Sequence, residues 1–176
     1  MTAKYYSLAV SGQCCAGKST LCEALAERTG WTHIDVGSKL RGMASAGGID
    51  IDRFGSLPDK ALRQVDDEIQ RRMEREKNKI WDGRLTCYLA RRNSYIFKVW
   101  CKASLEARAA RLGSKDNVTI EEARTKVLAR DSEEIRVFAR LYGVQLSDSH
   151  KWVDIVLDLT TGSPEHFADI VRRRLG

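Results

Sequence analysis

A phosphate-binding loop is the clearest chemical signal in this sequence. Residues 12–20 read GQCCAGKST, which fits the pattern G-x-x-x-x-G-K-S. In this pattern the backbone N–H groups surround an anion, Lys18 reaches the β- and γ-phosphates, and the hydroxyl of Ser19 is placed to bind Mg²⁺. The sequence therefore predicts a site for a nucleoside triphosphate. The expected phosphate-binding residues are Gly12, Gln13, Cys14, Cys15, Ala16, Gly17, Lys18, Ser19 and Thr20.

Arginines are the second chemical feature. Arg41 and Arg84 each follow a predicted strand by a few residues, at the edge where open α/β sheets bind ligands. Phosphoryl transfer needs fixed guanidinium groups around the moving phosphoryl group. Further arginines recur along predicted helices, at positions 108, 111, 130, 136 and 140. For these, binding of a phosphate and a solvated helix face with surface ion pairs both remain open.

Two classes of nucleotide-binding protein are disfavoured because their motifs are missing. A GTPase needs Asn-Lys-x-Asp to read its base, and the nearest match, NKIW at residues 78–81, lacks the aspartate. A motor-type ATPase usually has a hydrophobic run that ends in Asp-Glu, whereas the short run before Asp82 continues as Gly83-Arg84. A small phosphotransferase fits the sequence better.

The elements that must position these residues alternate along the chain. Strand-like runs are predicted near 5–10, 34–36 closed by Gly37, 80–81, 95–101 and 153–159. Helices are predicted over 21–28, twice or more within 38–78, from Ser104 to Leu112, from the capping box at Thr119 towards Tyr142, and after Ser163-Pro164, while 113–117 is predicted to be a polar loop. This alternation predicts an α/β fold with a parallel sheet covered by helices on both faces.

Composition bounds the class of protein. The chain has 176 residues, which predicts a single domain over 1–176, and its net charge of +6 suits a ligand rich in phosphate. The five cysteines form no C-x-x-C pair, and His33, His150 and His166 have no ligand-spaced partner, so neither a disulfide framework nor a histidine metal site is expected. Without a signal peptide or an apolar run of about 20 residues, we expect a cytoplasmic protein. Its expected partners are small-molecule nucleotides, rather than a membrane or nucleic acid, and we expect a monomer.

Several segments together resemble one known family. They are the loop with its flanks (10–20), GSKLR (37–41), VDDEIQRR (65–72), DGRL (82–85), RDSEEIR (130–136), LYG (141–143) and DIVLD (154–158). In these segments, which span nearly the whole chain, the sequence resembles the nucleoside monophosphate kinases and is most similar to short archaeal-type cytidylate kinases.

The resemblance implies a fold, a reaction and roles for individual residues. The fold is a three-layer P-loop kinase with five parallel strands, a monophosphate-binding insert at 38–78 and a lid at 111–136. The reaction transfers the γ-phosphoryl group of ATP, with Mg²⁺, to CMP or dCMP. The implied catalytic residues are Lys18, Arg84, Arg130 and Arg136, and the implied acceptor-site residues are Gly37, Arg41, Asp66, Arg72, Asp82, Gly83 and Arg84. By this resemblance Asp82 orients Mg²⁺-bound water or fixes Arg84, although a plain turn residue would satisfy the same pattern.

The sequence also departs from the family. Cys14 and Cys15 replace the small residues usual in the loop, and we expect these adjacent thiols to be an oxidation liability rather than a redox switch. Leu40 replaces an aromatic residue. Two alternative functions remain: a P-loop kinase for another monophosphate or a metabolite hydroxyl, and an ATP-dependent switch protein associated with nucleic acid, which the positive charge would suit.

Overall fold

A five-stranded, entirely parallel sheet forms the centre of the protein. The computed structural model describes residues 4–48 and 57–176. The strands are β1 (Ser7–Gly12), β2 (Thr32–Asp35), β3 (Lys79–Asp82), β4 (Ile96–Lys102) and β5 (Ile155–Asp158), in the order β2-β3-β1-β4-β5. The predicted fold class is confirmed.

Helices cover both faces of this sheet. They are α1 (Lys18–Thr29), α2 (Val36–Ala46), α3 (Asp59–Arg75), α4 (Thr86–Leu89), α5 (Leu105–Asp116), α6 (Ile120–Tyr142) and α7 (Pro164–Leu175), with a 3-10 helix at Leu146–Lys151. None of them, within the described part of the chain, is long and apolar enough to cross a membrane. The predicted insert at 38–78 includes residues that lie outside the described part.

The alternation of side chains along β1 divides the core into two layers. Leu8 and Val10 are fully buried on the face that α1 and α7 cover. Ala9 points to the other face, where it packs with Trp81 and with apolar residues of α3 and α6. A strand buried on both faces reads as a continuous apolar run, because each face must exclude water. The apolar segment before the loop thus belongs to a central strand.

Three predicted helix ends are confirmed, because each has the hydrogen bond of its predicted cap. Thr119 and Glu122 form both halves of a capping box at the start of α6. The hydroxyl of Ser163 accepts from the backbone of His166, and Gly30 ends α1 in the left-handed conformation. These local signals correctly located the helices that flank the sheet.

Two local predictions were wrong. Residues 113–117 are not a polar loop, because α5 continues to Asp116 and only Asn117, at φ 52°, ends it. Gly113 suits the tight turn that follows α5, since a Cβ there would lie 3.2 Å from the carbonyl oxygen of Val118. The region 111–136 is therefore helical except at the turn between α5 and α6. The second strand also ends earlier than predicted, because Asp35 caps α2 and Gly37 lies inside that helix.

We expect Leu25→Ala to lower the free energy of unfolding by about 2–5 kcal/mol, because it opens a cavity at a fully buried position of α1. Leu128→Ala is the matched control. Leu128 is 47% exposed on α6, and its loss should cost less than about 0.5 kcal/mol. Urea unfolding followed by circular dichroism measures both values. Equal losses in the two variants would contradict the layered core.

Candidate active site

The carboxyl ends of the central strands bring the predicted site together. In the parallel register, Asp82 at the end of β3 is paired with Val10 of β1 and with Asp35 of β2. The phosphate-binding loop leaves β1 directly after Gly12, at the same edge of the sheet. Because parallel strands point the same way, residues from distant parts of the sequence meet at this edge.

The loop needs glycine at its first position. Gly12 has φ 148°, and a Cβ there would lie 1.9 Å from the carbonyl oxygen of Cys101. The next residue, Gln13, donates its N–H to that same carbonyl at 3.1 Å. Gly17, at φ 99°, then begins α1 as its N-cap. The loop is thereby anchored to β4 and leads straight into the N-terminus of a helix, which favours anions.

Lys18 lies folded over the loop. Its ammonium donates to the carbonyl oxygens of Gly12 at 3.1 Å and Gln13 at 2.8 Å. Both acceptors are main-chain groups of the loop itself, so the charge is held where phosphate groups would enter. This position agrees with the role expected of the lysine in the loop pattern.

Two arginines of α5 donate hydrogen bonds to main-chain carbonyl groups of the phosphate-binding loop. The Nη1 of Arg108 donates to the carbonyl of Cys14 at 3.3 Å and to Asp131 Oδ2 at 2.7 Å, and the side chain is only 5% exposed. The Nη1 of Arg111 donates to the carbonyl of Ala16 at 2.9 Å. The sequence left open whether these two arginines bind a phosphate or form a solvated helix face. In the structure both donate to carbonyl groups of the loop, so they do not form a solvated face.

Asp82 is a buried carboxylate with two polar neighbours. Ser19 Oγ donates to its Oδ2 at 2.7 Å, and His33 Nε2 lies 3.1 Å from the same oxygen. Burial opposes ionisation, but the hydrogen bond with His33, the charge of Lys18 and the hydrogen bond from Ser19 outweigh it, so the pKa of Asp82 lies below its usual value. The carboxylate therefore stays charged at neutral pH.

The sequence suggested that His33 is isolated, but in the structure its imidazole contacts Asp82. Its hydrogen bond with Asp82 raises the pKa of the imidazole. Together with Cys22, these two side chains form a group of potential metal ligands within 4.8 Å of one another. The hydroxyl of Ser19 and the carboxylate of Asp82 are hard oxygen donors and fit Mg²⁺, whereas a thiol and an imidazole do not suit that ion.

A cleft of about 390 Å³, which we call the phosphate cleft, lies at the phosphate-binding loop. It is lined by Cys14, Cys15, Gly17, Lys18, Ser19, Thr20, Asp35, Gly37, Arg41, Asp82, Gly83, Arg84, Arg111, Leu112, Lys115 and Arg130. Six of these residues are cationic, so the cleft suits a polyphosphate. Arg111 and Lys115 were not among the predicted site residues, although their spacing of four on one helix could have paired them.

Carboxylates position the arginines of the cleft. Arg41 Nη2 lies 2.5 Å from Asp35 Oδ2, and Arg84 Nη1 lies 3.0 Å from Glu134 Oε1. Glu134 is only 2% exposed, and burial raises its pKa to about 7 in spite of Arg84. Sequence reasoning gave Glu134 no role. Its place on the buried stripe of α6, seven residues after Val127, was the available signal.

A second, narrower pocket adjoins the phosphate cleft and shares Gly37, Gly83 and Arg84 with it. Its other lining residues are mainly apolar: Val36, Leu40, Leu62, Leu85, Thr86, Leu89, Val137, Phe138 and Leu141, together with Asp66. Tyr142 donates its hydroxyl to Asp66 Oδ2 at 2.6 Å. Burial raises the pKa of Asp66 to about 6. We call this the apolar pocket.

Two arginines that were predicted to belong to the site line neither cavity. Arg72 binds Glu76 at 2.6 Å and lies over the ring of Trp81. Arg136 binds Glu133 at 2.8 Å and its side chain is 55% exposed. Arg130, six residues before it on α6, does line the phosphate cleft. Arg130 and Arg136, which the sequence predicted to act together, therefore lie on different sides of α6.

Comparison with known proteins identifies similar chains. The model of the cytidylate kinase-like family matches residues 7–161. The cytidylate kinase of Pyrococcus furiosus is 29% identical over 168 residues, covering 94% of this chain and 85% of the relative. That of Methanopyrus kandleri is 30% identical, covering 89% and 86%. Among solved structures, a shikimate kinase from Acinetobacter baumannii in complex with shikimate has a TM-score of 0.65 at 14% identity, covering 98% and 93%, and this likeness concerns the fold alone. The resemblance stated from the sequence is confirmed.

We expect Asp66→Asn to change how stability depends on pH. The folded pKa of Asp66, about 6, lies above its unfolded value of 3.8, so this group stabilises the fold fully below about pH 4 and loses that contribution as pH rises through 6. The difference in unfolding free energy, wild type minus variant, should fall across this window by up to about 1.4 kcal/mol per pH unit. Urea unfolding at a series of pH values measures it, with Asp67→Asn as the control for removal of a neighbouring exposed carboxylate. A difference that does not change with pH would contradict the burial of this carboxyl group.

Proposed function

The chain belongs to the cytidylate kinase-like family, and on this premise we propose that it transfers the γ-phosphoryl group of ATP to a nucleoside monophosphate. The proposed acceptor is CMP or dCMP, and the products are the diphosphate and ADP. One observation carries the proposal: the phosphate-binding loop shares a cleft with arginines from four other segments, and an apolar pocket with a carboxyl group opens beside them.

The loop and Lys18 would bind the donor. The glycine turns and the N-terminus of α1 direct main-chain N–H groups at one point, which favours the β- and γ-phosphates. Lys18 would exchange its hydrogen bonds with the loop carbonyls for bonds to phosphate oxygens. Since these acceptors are neutral and the phosphates are charged, the exchange strengthens the hydrogen bonds of the ammonium.

Ser19 and Asp82 would hold Mg²⁺. When bound, the ion neutralises charge on the donor phosphates. The hydrogen bond that joins the two side chains, at 2.7 Å, keeps their oxygens together at the mouth of the loop. His33 contacts the same carboxylate oxygen at 3.1 Å, so Asp82 is oriented before any ligand arrives.

Arg41 and Arg84 would bind the phosphate of the acceptor. Both line the phosphate cleft and are already oriented by carboxylates, which lowers the conformational cost of binding a planar anion. Arg130 faces the same cleft from α6 and would neutralise charge on the transferred group. Closure of the helical region 111–136 would exclude water from the reaction.

The apolar pocket would take the base. Its free volume is only about 40 Å³, so it must widen when an acceptor enters. Aliphatic and aromatic side chains such as Leu62 and Phe138 suit a planar ring. One oxygen of Asp66 is taken by Tyr142, which leaves the other to accept from the exocyclic amino group of cytosine.

A kinase for a hydroxyl acceptor is the second candidate, and Asp35 is the observation that favours it. This carboxylate lines the phosphate cleft and could remove a proton from a hydroxyl group. The phosphate of a monophosphate is already ionised and needs no base. Asp35 also binds Arg41 and caps α2, roles that account for it without proton transfer.

We expect Lys18→Ala to lower turnover by about 10²–10³-fold, the usual cost of removing one donor aimed at transition-state charge. A coupled assay of ADP release with CMP as acceptor measures this effect. Lys102→Ala is the control, because this lysine is 52% exposed at the end of β4 and does not line the phosphate cleft. Unchanged turnover in Lys18→Ala would contradict the proposed donor site.

We expect CMP or dCMP to give the fastest acceptor-dependent ADP release in a panel that also holds UMP, AMP, dTMP and shikimate. Arg41→Ala and Arg84→Ala should each raise the KM for the monophosphate by about tenfold or more, because each removes a charge-assisted hydrogen bond. Arg28→Ala, which removes an arginine bound to Asp169 of α7, is the matched control.

Two results of this panel would overturn the proposal. One is the absence of turnover with every monophosphate. The other is turnover with a hydroxyl acceptor that survives the loss of both Arg41 and Arg84, which would favour the second candidate.

A further inference from the structure

The two adjacent cysteines of the phosphate-binding loop have no task in the proposed reaction, and their thiols touch. The Sγ atoms of Cys14 and Cys15 lie 3.4 Å apart. Both residues line the phosphate cleft, Cys14 with 6% of its surface exposed and Cys15 with more. A small solute that enters the cleft therefore meets Cys15 first, with a second sulfur directly behind it.

The surroundings of Cys15 favour its thiolate. The hydrogen bond from Cys14 and the charges of Arg130, Lys18 and Lys115 lower the pKa of Cys15, although partial burial opposes them. Hydrogen bonding to Cys15 and burial raise the pKa of Cys14, which stays a thiol. An accessible thiolate among cations is the form that reacts with peroxides, and a neighbouring thiol is what resolves the product.

The other three cysteines supply an internal comparison. Cys22, Cys87 and Cys101 are all fully buried. Burial raises the pKa of Cys87 and of Cys101 to about 12 and raises that of Cys22 as well. None of the three combines access to the phosphate cleft with a stabilised thiolate. The chain thus contains two classes of cysteine that a single reagent can distinguish.

We propose that Cys14 and Cys15 form a peroxide-reactive modification site, at which oxidation to a disulfide prevents the phosphate-binding loop from binding nucleotide normally. The thiolate of Cys15 attacks the hydroperoxide, the O–O bond breaks, and Cys15 becomes a sulfenic acid while the peroxide leaves as an alcohol or water after taking up a proton. The thiol of Cys14 then displaces hydroxide from this sulfur, forms the S–S bond and releases water. Two thiols lose two electrons in total, and one peroxide gains them.

The disulfide is incompatible with the loop as it stands. An S–S bond measures about 2 Å, so the sulfur atoms must approach by more than an ångström. The carbonyl of Cys14 is bound by Arg108, and Cys15 already has the left-handed φ of 58°. A small ring that includes the peptide bond between the two residues would break these restraints. Since phosphate binding depends on the loop's backbone, oxidation should weaken it.

The first part of the test follows the thiols by mass spectrometry, without any activity assay. Hydrogen peroxide should oxidise residues 14 and 15 to an internal disulfide, at a rate at least about tenfold above any reaction at the three buried cysteines. Cys14→Ser should accumulate a sulfenic acid on Cys15 that dimedone traps. Cys15→Ser should form neither product at Cys14. Two results would overturn the proposal. One is oxidation of the buried cysteines at a rate similar to that of residues 14 and 15. The other is oxidation of Cys14 in Cys15→Ser as fast as that of Cys15 in Cys14→Ser.

The second part measures ATP binding to reduced, oxidised and re-reduced wild-type protein by calorimetry. Affinity should fall by about tenfold or more on oxidation and return with dithiothreitol, because a loop disulfide is reversible. ATP present during oxidation should also slow the reaction by filling the phosphate cleft. Equal affinity of the reduced and oxidised forms would overturn the proposal. If the reduced protein bound no ATP, the donor site proposed above would fail, and the thiol chemistry would still be decided by mass spectrometry.

Discussion

The proposed chemistry depends on one close approach of main chain to main chain. At the end of β1, Gly12 lies against the carbonyl of Cys101 so closely that no side chain could stand there. This contact turns the chain directly from the central strand into the loop, and the loop leads within a few residues into α1. The end of the central strand, the phosphate-binding loop and a helix N-terminus thereby meet at one edge of the sheet. The remaining residues of the site are placed around that point.

The second organising feature is the pairing of cations with carboxylates. The six cationic side chains of the phosphate cleft would repel one another if none of them were paired with a carboxylate. Asp35, Asp131 and Glu134 each hold an arginine at or below the cleft. Glu134 is the most buried of them, and the guanidinium of Arg84 offsets only part of the cost of its burial. The carboxylates fix the direction of the arginines, so an entering phosphate meets groups that are already oriented.

The same positive field acts on the loop's own sulfur atoms. Charges that suit a polyphosphate also stabilise a thiolate, and Cys15 lies among them. A side chain with no ionisable group at this position would avoid that coupling. Phosphate binding and thiol reactivity are thus two consequences of one electrostatic environment, and bound phosphate would compete with the thiolate for the same cations.

The sequence by itself determined the features that depend on neighbours along the chain. The loop pattern, the helix caps and the alternation of strands and helices are local, and together they predicted the sheet, its helices and the family. Tertiary structure alone decided which side chains meet: His33 with Asp82, Glu134 with Arg84, and Arg108 with the loop. It also turned Arg72 and Arg136 away from the site while Arg130 faces it. The physical reason is that strand register and helix rotation set these contacts through packing between distant segments, which spacing along the chain does not encode.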